Sequence, residues 1–422
     1  MRTKRLSFLA VILAAICLCI PSLINNFPFI YADTGTYLEI GFKGYASPVR
    51  PPLYGIFLRH ITMKESFWLV VLVQALLVIS VLKIFIDVFF KKSYPFLLIL
   101  SIALLTATTS IGVTVGMLMP DFTTIFIILG SAIILYGKEL KKWQFGIAVF
   151  YVWLAIGSHH SHAYILFLML CFWIFRKVVM RKRIMDVAFW RIGVVCLILV
   201  LGYLVTPTIH YSRTGHFFTS RSKNIFLVGR MNQMGLLKLF LEEKCPELDY
   251  PLCKYKSAIP DDFLWHKNSP VTKESGWEAN NNLYEPMVYD FLTTPYFLKR
   301  FMIKTGETSV QQFFSFKTVA IDKMKRGGWL DGVIEYSIPD SIHTLFSSRQ
   351  NKGTWSNHIL DLLQHLIVFS SMLFLLYFFY FKSDSKLVVS KLHREVFYLI
   401  LFGLISNAII CGGVSMLSLI HI

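Results

Sequence analysis

Apolar residues in this chain come in long unbroken blocks rather than in alternating stripes. Nine such runs stand out, at residues 6–24, 67–82, 95–119, 122–135, 145–156, 163–175, 192–206, 363–380 and 396–416. A helix that is apolar on all sides has no solvent face and belongs in a bilayer, which takes about 20 residues to cross. Several runs are shorter than that, so they tilt or end below the surface. The pattern predicts an all-α polytopic membrane protein of about nine spans with a mixed outer-face loop domain. Residues 1–208 hold seven of the runs, with short connections except for a long first outer loop at 26–65. Residues 209–356 are polar, with 19 basic and 15 acidic side chains and four tryptophans (Trp265, Trp277, Trp329, Trp355). That is too aromatic for a disordered linker, and it reads as one folded domain or cap. Residues 357–422 return to the membrane with two further spans. The last stretch, 409–422, stays apolar almost to Ile422. Either the C-terminus lies at the outer surface or the native chain continues beyond it.

Composition agrees. The 422 residues are 55% hydrophobic and 16% charged, with mean hydropathy +0.57, which excludes a water-soluble globule. The net charge of +17 suggests nucleic acid only until its placement is examined. Nineteen of the 42 basic residues sit at the N-terminus and in every second gap between runs, around Arg2, Lys91, Lys138, Arg181 and Lys382. Five acids oppose them, so these gaps carry +14 of the +17. This is the positive-inside pattern. It predicts a cytoplasmic N-terminus, an extracytoplasmic 209–356 region in the cytoplasmic (inner) membrane, and no nucleic-acid partner. The first run has the basic start and apolar core of a signal peptide but no small-x-small cleavage site, and it reads as an uncleaved first helix. Five of the seven cysteines lie in apolar runs. Cys245 and Cys253 lie in the outer region, where a short-range disulfide fits an oxidising compartment.

The first outer loop carries the sharpest chemistry. Tyr31-Ala-Asp-Thr-Gly-Thr-Tyr-Leu-Glu39 is followed by Val49-Arg-Pro-Pro-Leu-Tyr54. An acid, Asp33, and a cation, Arg50, beside a bilayer are costly to place there without a use. Thr36-x-x-Glu39 has the form of a capping box and predicts a short surface helix burying Tyr37 and Ile40. Pro51-Pro52 suits the start of a second helix over 53–60, which puts Arg50 beside a helix N-terminus where an anion is favoured. Asp33 as an ordinary N-cap and Arg50 as a lipid-snorkelling cation are the competing structural roles. Asp121, in Met119-Pro-Asp-Phe122, is the only charge between residues 95 and 136 and falls at the next turn on the same side. His159, His160 and His162 fall at a third such turn, as phosphate or substrate contacts or as a satisfied polar turn. They lack a nearby acid or cysteine, so no metal site is assigned, although a divalent cation is a candidate cofactor. Trp329 in its glycine-rich turn, or Trp265 and Trp277, could stack on a sugar, although core packing is the commoner use.

A first helix with its N-terminus inside, an outer-loop acid between surface helices, an aromatic-flanked Arg-Pro-Pro-Leu-Tyr and a Pro-Asp at the next outer turn resemble the GT-C superfamily. Its members are integral-membrane glycosyltransferases that use polyprenyl-phosphate sugars. The resemblance covers roughly residues 1–180. It implies transfer from a lipid-linked sugar donor to a glycan, lipid or protein acceptor. Asp33 would be the base or acceptor-orienting group, Asp121 the second acid, Arg50 the phosphate holder, and Tyr37 and Tyr54 substrate contacts. Two features depart from the pattern: the loop acid is single rather than paired, and the large outer region precedes the last two spans. A transporter or flippase of lipid-linked or small solutes, and an O-antigen-ligase-like or polymerase enzyme, are the alternative readings.

Overall fold

The computed structural model describes residues 2–90, 95–180, 187–273, 276–319, 321–380 and 391–414. Among them the chain is helical, with no strand beyond an isolated parallel pairing of Phe29 with Met117. The N-terminal body runs α1 (Arg2–Asn25), α2 (Thr34–Leu38), α3 (Pro52–Thr62), α4 (Trp68–Phe90), α5 (Pro95–Thr108), α6 (Ile111–Gly116), α7 (Ser131–Tyr136), α8 (Lys142–Ser158), α9 (His160–Met180) and α10 (Phe189–Thr214). A polar region follows with α11 (Lys223–Gln233), α12 (Leu236–Lys244), α13 (Pro270–Lys273), α14 (Gly276–Leu283), α15 (Glu285–Thr293), α16 (Pro295–Phe313), α17 (Trp329–Ser337), α18 (Ser341–Ser347) and α19 (Arg349–Lys352). Two long helices close the chain, α20 (His358–Tyr380) and α21 (Lys391–Val414).

Among the described residues, six helices are long and apolar enough to cross a bilayer: α1, α4, α9, α10, α20 and α21. A helix suits that medium because it satisfies its own backbone. The chain is therefore an all-α membrane protein. The other three expected spans are helical but shorter: α5 with 14 residues, α8 with 17, and the segment Pro120–Tyr136. The run 95–119 is not one helix, contrary to its uniform hydropathy. Thr108 and Thr109 turn their hydroxyls back onto the Leu104 and Leu105 carbonyls at 2.8 and 2.6 Å. The freed Ser110 N–H donates to Gln364 Oε1 of α20 at 2.5 Å, so the break leaves no unpaired donor there. Gly112, just after it, lets α1 close in; a Cβ there would stand 2.7 Å from Pro21 Cγ.

Cross-helix bonds tie together the two ends of the bundle. At one end Arg176 donates twice to the buried Glu395, at 3.0 and 3.2 Å, and stacks on Tyr398. There too His393 meets the Phe89 carbonyl, and Arg191 reaches the Ile134 and Gly137 carbonyls. Of the basic gaps expected here, Lys91, Lys92, Arg181, Lys182, Arg183, Lys382 and Lys386 lie outside the described residues, as does the apolar C-terminal stretch 415–422. At the opposite end gather the first loop, the turn before Pro120, the histidine turn and residues 316–319 and 321–355.

The region 209–356, expected as one domain, packs in two parts. Helices α11–α16 surround a core of their own built on Val228, Phe240, Phe291 and Phe297, with Cys245 and Cys253 joined as a disulfide. Val319 and the stretch 321–355 join the main core instead, through Val333, Ile334 and Leu345. That second part roofs the first loop.

Candidate functional site

The site is assembled from backbone outward. Beyond α1 the chain turns at Asn26, in the left-handed region (φ 63°) that asparagine tolerates. It then runs extended beside the turn after α6. The Phe29 N–H donates to the Gly116 carbonyl at 2.9 Å, and the Leu118 N–H to the Phe29 carbonyl at 3.0 Å. Gln350 of α19 grips the next residue on both sides. Its Oε1 accepts from the Ile30 N–H at 3.1 Å, and its Nε2 donates to the Ile30 carbonyl at 2.7 Å. Thr34 Oγ1 accepts from the Tyr31 N–H and donates to the Leu118 carbonyl. These bonds fix Asp33 beside the Leu118–Asp121 turn. Gln74 of α4 fastens the same turn from below, donating to the Val115 and Met117 carbonyls at 2.6 and 3.0 Å.

Arg50 arrives from the other side. Ser47 Oγ accepts from the Val49 and Arg50 amides at 3.2 and 3.1 Å, a local turn that ends where Pro51 caps α3. Arg50 Nη2 then donates to Asp33 Oδ2 at 2.5 Å, with the two side chains only 12% and 9% exposed. Asp33 does not cap α2, because its side chain makes no bond to the helix amides. The expected capping box at Thr36 and Glu39 is absent as well. The helix begins two residues earlier, at Thr34, because the pairing of Phe29 with Met117 has already set the direction of the chain. Glu39 instead bonds Lys43 at 3.1 Å and accepts from the Trp329 indole at 3.2 Å. The predicted burial of Tyr37 and Ile40 holds, both being 0% exposed, and the second helix forms over Pro52–Thr62.

Two polar atoms next to the pair have no partner: the Tyr37 hydroxyl and Asp121 Oδ2, both buried. Such orphans are rare in a folded chain and call for an explanation. Asp121, Tyr31, Thr114, Met117, Met119 and Thr318 line a small cavity with room for about one water. Burial alone works against the Arg50 charge, but the Asp33 carboxylate bonded to it, with Asp121 nearby, outweighs that and holds the guanidinium above its ordinary value. Burial pushes the Tyr37 hydroxyl far above the phenol range, so it stays a neutral donor.

Tyr54, expected to touch substrate, is 1% exposed and donates to Gln74 Oε1 at 2.7 Å. Its ring meets Tyr37 edge-on, so it is a packing residue that steadies Tyr37. The three histidines divide. His162 is satisfied by the Ala155 carbonyl at 2.8 Å and Thr124 Oγ1 at 3.0 Å, and His159 by Ser161 Oγ at 2.7 Å. His160 reaches the Val49 backbone beside Arg50 and keeps Nε2 unpartnered. Trp329 lies half-exposed across Gly35, where a Cβ would stand 2.7 Å from its ring, and so covers α2. Trp265 and Trp277 pack on each other, with ring centroids 5.2 Å apart. Among the described residues no three His, Cys, Asp or Glu side chains form a ready metal centre. A cation at Asp33 would have to displace Arg50.

Sequence reasoning missed Gln74, Gln350 and His210. Gln74 was detectable as an amide inside an apolar run, whereas Gln350 carried no signal. No family model, curated protein or solved structure matches this chain.

Proposed function

We propose that this chain is a multi-pass glycosyltransferase of the GT-C kind. It would transfer a sugar from a polyprenyl-phosphate donor to an acceptor hydroxyl on the outer face of the cytoplasmic membrane. In this reading the N-terminus is cytoplasmic, nine helical segments traverse or enter the bilayer, and residues 209–356 are extracytoplasmic. The observation that carries it is the buried Asp33–Arg50 pair flanked by the unpartnered Tyr37 hydroxyl and Asp121 Oδ2. Structural pairs do not need vacant polar groups beside them, whereas a site that binds phosphate and hydroxyls does.

The acceptor oxygen attacks the anomeric carbon as the carbon–oxygen bond to the donor phosphate breaks. The proton passes to the Asp33 carboxylate, and the bonding electrons leave on the phosphate. A guanidinium has five N–H donors, and the bond to Asp33 occupies Nη2, so Arg50 can meet the departing phosphate through the others. Tyr37 adds a neutral donor, and Asp121 orients the acceptor. Neutralising the developing charge is the larger contribution, and positioned base catalysis adds roughly 100- to 10,000-fold.

The test is purified protein in nanodiscs with a radiolabelled panel of undecaprenyl-phosphate sugars, scoring release of undecaprenyl phosphate. Asp33→Asn, present at normal level, should lose at least 100-fold of the release rate. Full activity in that variant would end this assignment. A flippase would move the lipid without consuming it, and a ligase would require the diphosphate-linked oligosaccharide.

A further inference from the structure

Arg50 has a second neighbourhood besides Asp33. The Pro48–Arg50 stretch is held there by the chain that follows α10. The Arg221 N–H donates to the Pro48 carbonyl at 2.9 Å and Ser220 Oγ to the same oxygen at 3.0 Å. His160, at the start of α9, bonds the Val49 backbone of this strip and lies within electrostatic reach of Arg50 and of His210, near the end of α10. His210 is 0% exposed. Each has its Nε2 buried and without a partner.

The bonds on the opposite ring nitrogen fix what these atoms are. His210 Nδ1 lies 2.8 Å from the Phe218 carbonyl, which can only accept, so Nδ1 carries the hydrogen. The Phe218 ring stacks on the imidazole at 4.1 Å and locks its orientation. For His160 the partner is the Val49 backbone, and the Val49 amide is already given to Ser47 Oγ. Its carbonyl is what remains, so His160 also donates through that nitrogen. A neutral imidazole with its hydrogen committed in this way presents a bare lone pair at Nε2. Two fixed hydrogen-bond acceptors therefore stand near each other, and the Arg50 guanidinium is within electrostatic reach of His160. An anion would be repelled by the lone pairs, and an apolar chain would leave them unsatisfied. A group of hydroxyl donors attached to a phosphate satisfies all three.

We propose that His160 and His210 form the sugar-hydroxyl subsite of this site, accepting hydrogen bonds from the ring hydroxyls of a sugar whose phosphate lies at Arg50. The proposal rests on the lipid-phosphate reading above and names the part of the ligand that these residues select. A site built to hydrogen-bond a hydroxyl discriminates strongly against a ligand without it, because its own acceptors are then left unpaired.

The experiment measures binding of bare undecaprenyl phosphate and of undecaprenyl-phosphate glucose, mannose, galactose and arabinose to the full chain in nanodiscs. Variants are Arg50→Gln, His160→Phe, His210→Phe and His210→Gln. At least one sugar-bearing lipid should bind the wild type tenfold or more tightly than the bare lipid. His160→Phe and His210→Phe should each erase that preference while leaving bare-lipid binding intact. His210→Gln, which keeps an acceptor near Nε2, should retain part of it. If sugar-bearing and bare lipids bind alike, or the preference survives both Phe variants, the subsite is refuted while the phosphate site stands. If bare lipid shows no Arg50-dependent binding, the underlying reading fails. Intact bare-lipid binding also certifies that each variant has folded.

Discussion

Gln350 is the strongest test of how the first loop is held. Its side chain is 1% exposed and occupies both backbone groups of Ile30, which is itself 2% exposed, while its own N–H donates to Asn25 Oδ1 at 2.8 Å. Its Nε2 also donates to the Asp322 carbonyl, but Asp322 is exposed and water can take over there. Gln350→Ala therefore strands one donor and one acceptor in a dry place. Each costs about 1–3 kcal/mol, so the loop should open more easily by about 3 kcal/mol. That equals roughly 100-fold in an opening equilibrium. Gln350→Glu keeps the shape but points a carboxylate oxygen at the Ile30 carbonyl, and it should do no better. Hydrogen–deuterium exchange on the purified protein reads this directly. The peptide over residues 27–34 should exchange on the order of 100-fold faster in both variants. Helix α12, in the separate core of the polar region, should not change. Less than a threefold change over 27–34 in both variants would show that Gln350 does not hold the loop.

Arg50→Met alone leaves the Asp33 carboxylate buried and uncompensated, a cost of about 3–5 kcal/mol; the double variant with Asp33→Asn should recover much of the melting temperature, and equal losses would refute the coupling. A Cβ at Gly55 would lie 2.6 Å from the Tyr37 carbonyl and 2.7 Å from Ile40 Cγ2. Gly55→Ala should therefore destabilise by roughly 1–3 kcal/mol, whereas Gly146→Ala, with nothing within 4 Å, should be neutral or stabilising in the same thermal scan. Replacing Cys245 and Cys253 by serine opens a ring of sequence separation 8, worth about 2.5 kcal/mol in chain entropy. Limited proteolysis should then cut within 244–256 first, with the membrane helices intact.

The chemistry was more legible than the architecture around it. Asp33, Arg50 and Asp121 announced themselves as lone charges beside apolar runs, and the structure brings the first two into contact and the third to the same end. Their local settings were less readable. The Thr36–Glu39 box lost to Thr34 because a contact 84 residues away, at the Leu118 carbonyl, claims the Thr34 hydroxyl. The break after Thr108 is invisible to hydropathy, since its donor is satisfied by Gln364 at a separation of 254. His210 lies four residues past the seventh apolar run, at the start of the polar region, with no motif to mark it. Only its bond to the Phe218 carbonyl identifies which nitrogen is bare. Side-chain amides and imidazoles that serve distant backbone leave no local periodicity, and these were the residues that pattern reading could not place.

The grip of Gln350 on Ile30 also sets an order of assembly. The two residues are 320 apart in sequence. At roughly 5–20 residues per second of synthesis, Ile30 emerges about 16–60 s before its clamp exists. During that interval α1, α4, α9 and α10 can already sit in the bilayer, with the Asp33-bearing loop still unfastened. The loop is completed last, by the segment that closes the polar region. A nascent chain stopped before residue 349 should therefore hold an inserted bundle with an unfinished site, a late checkpoint on an early-made part.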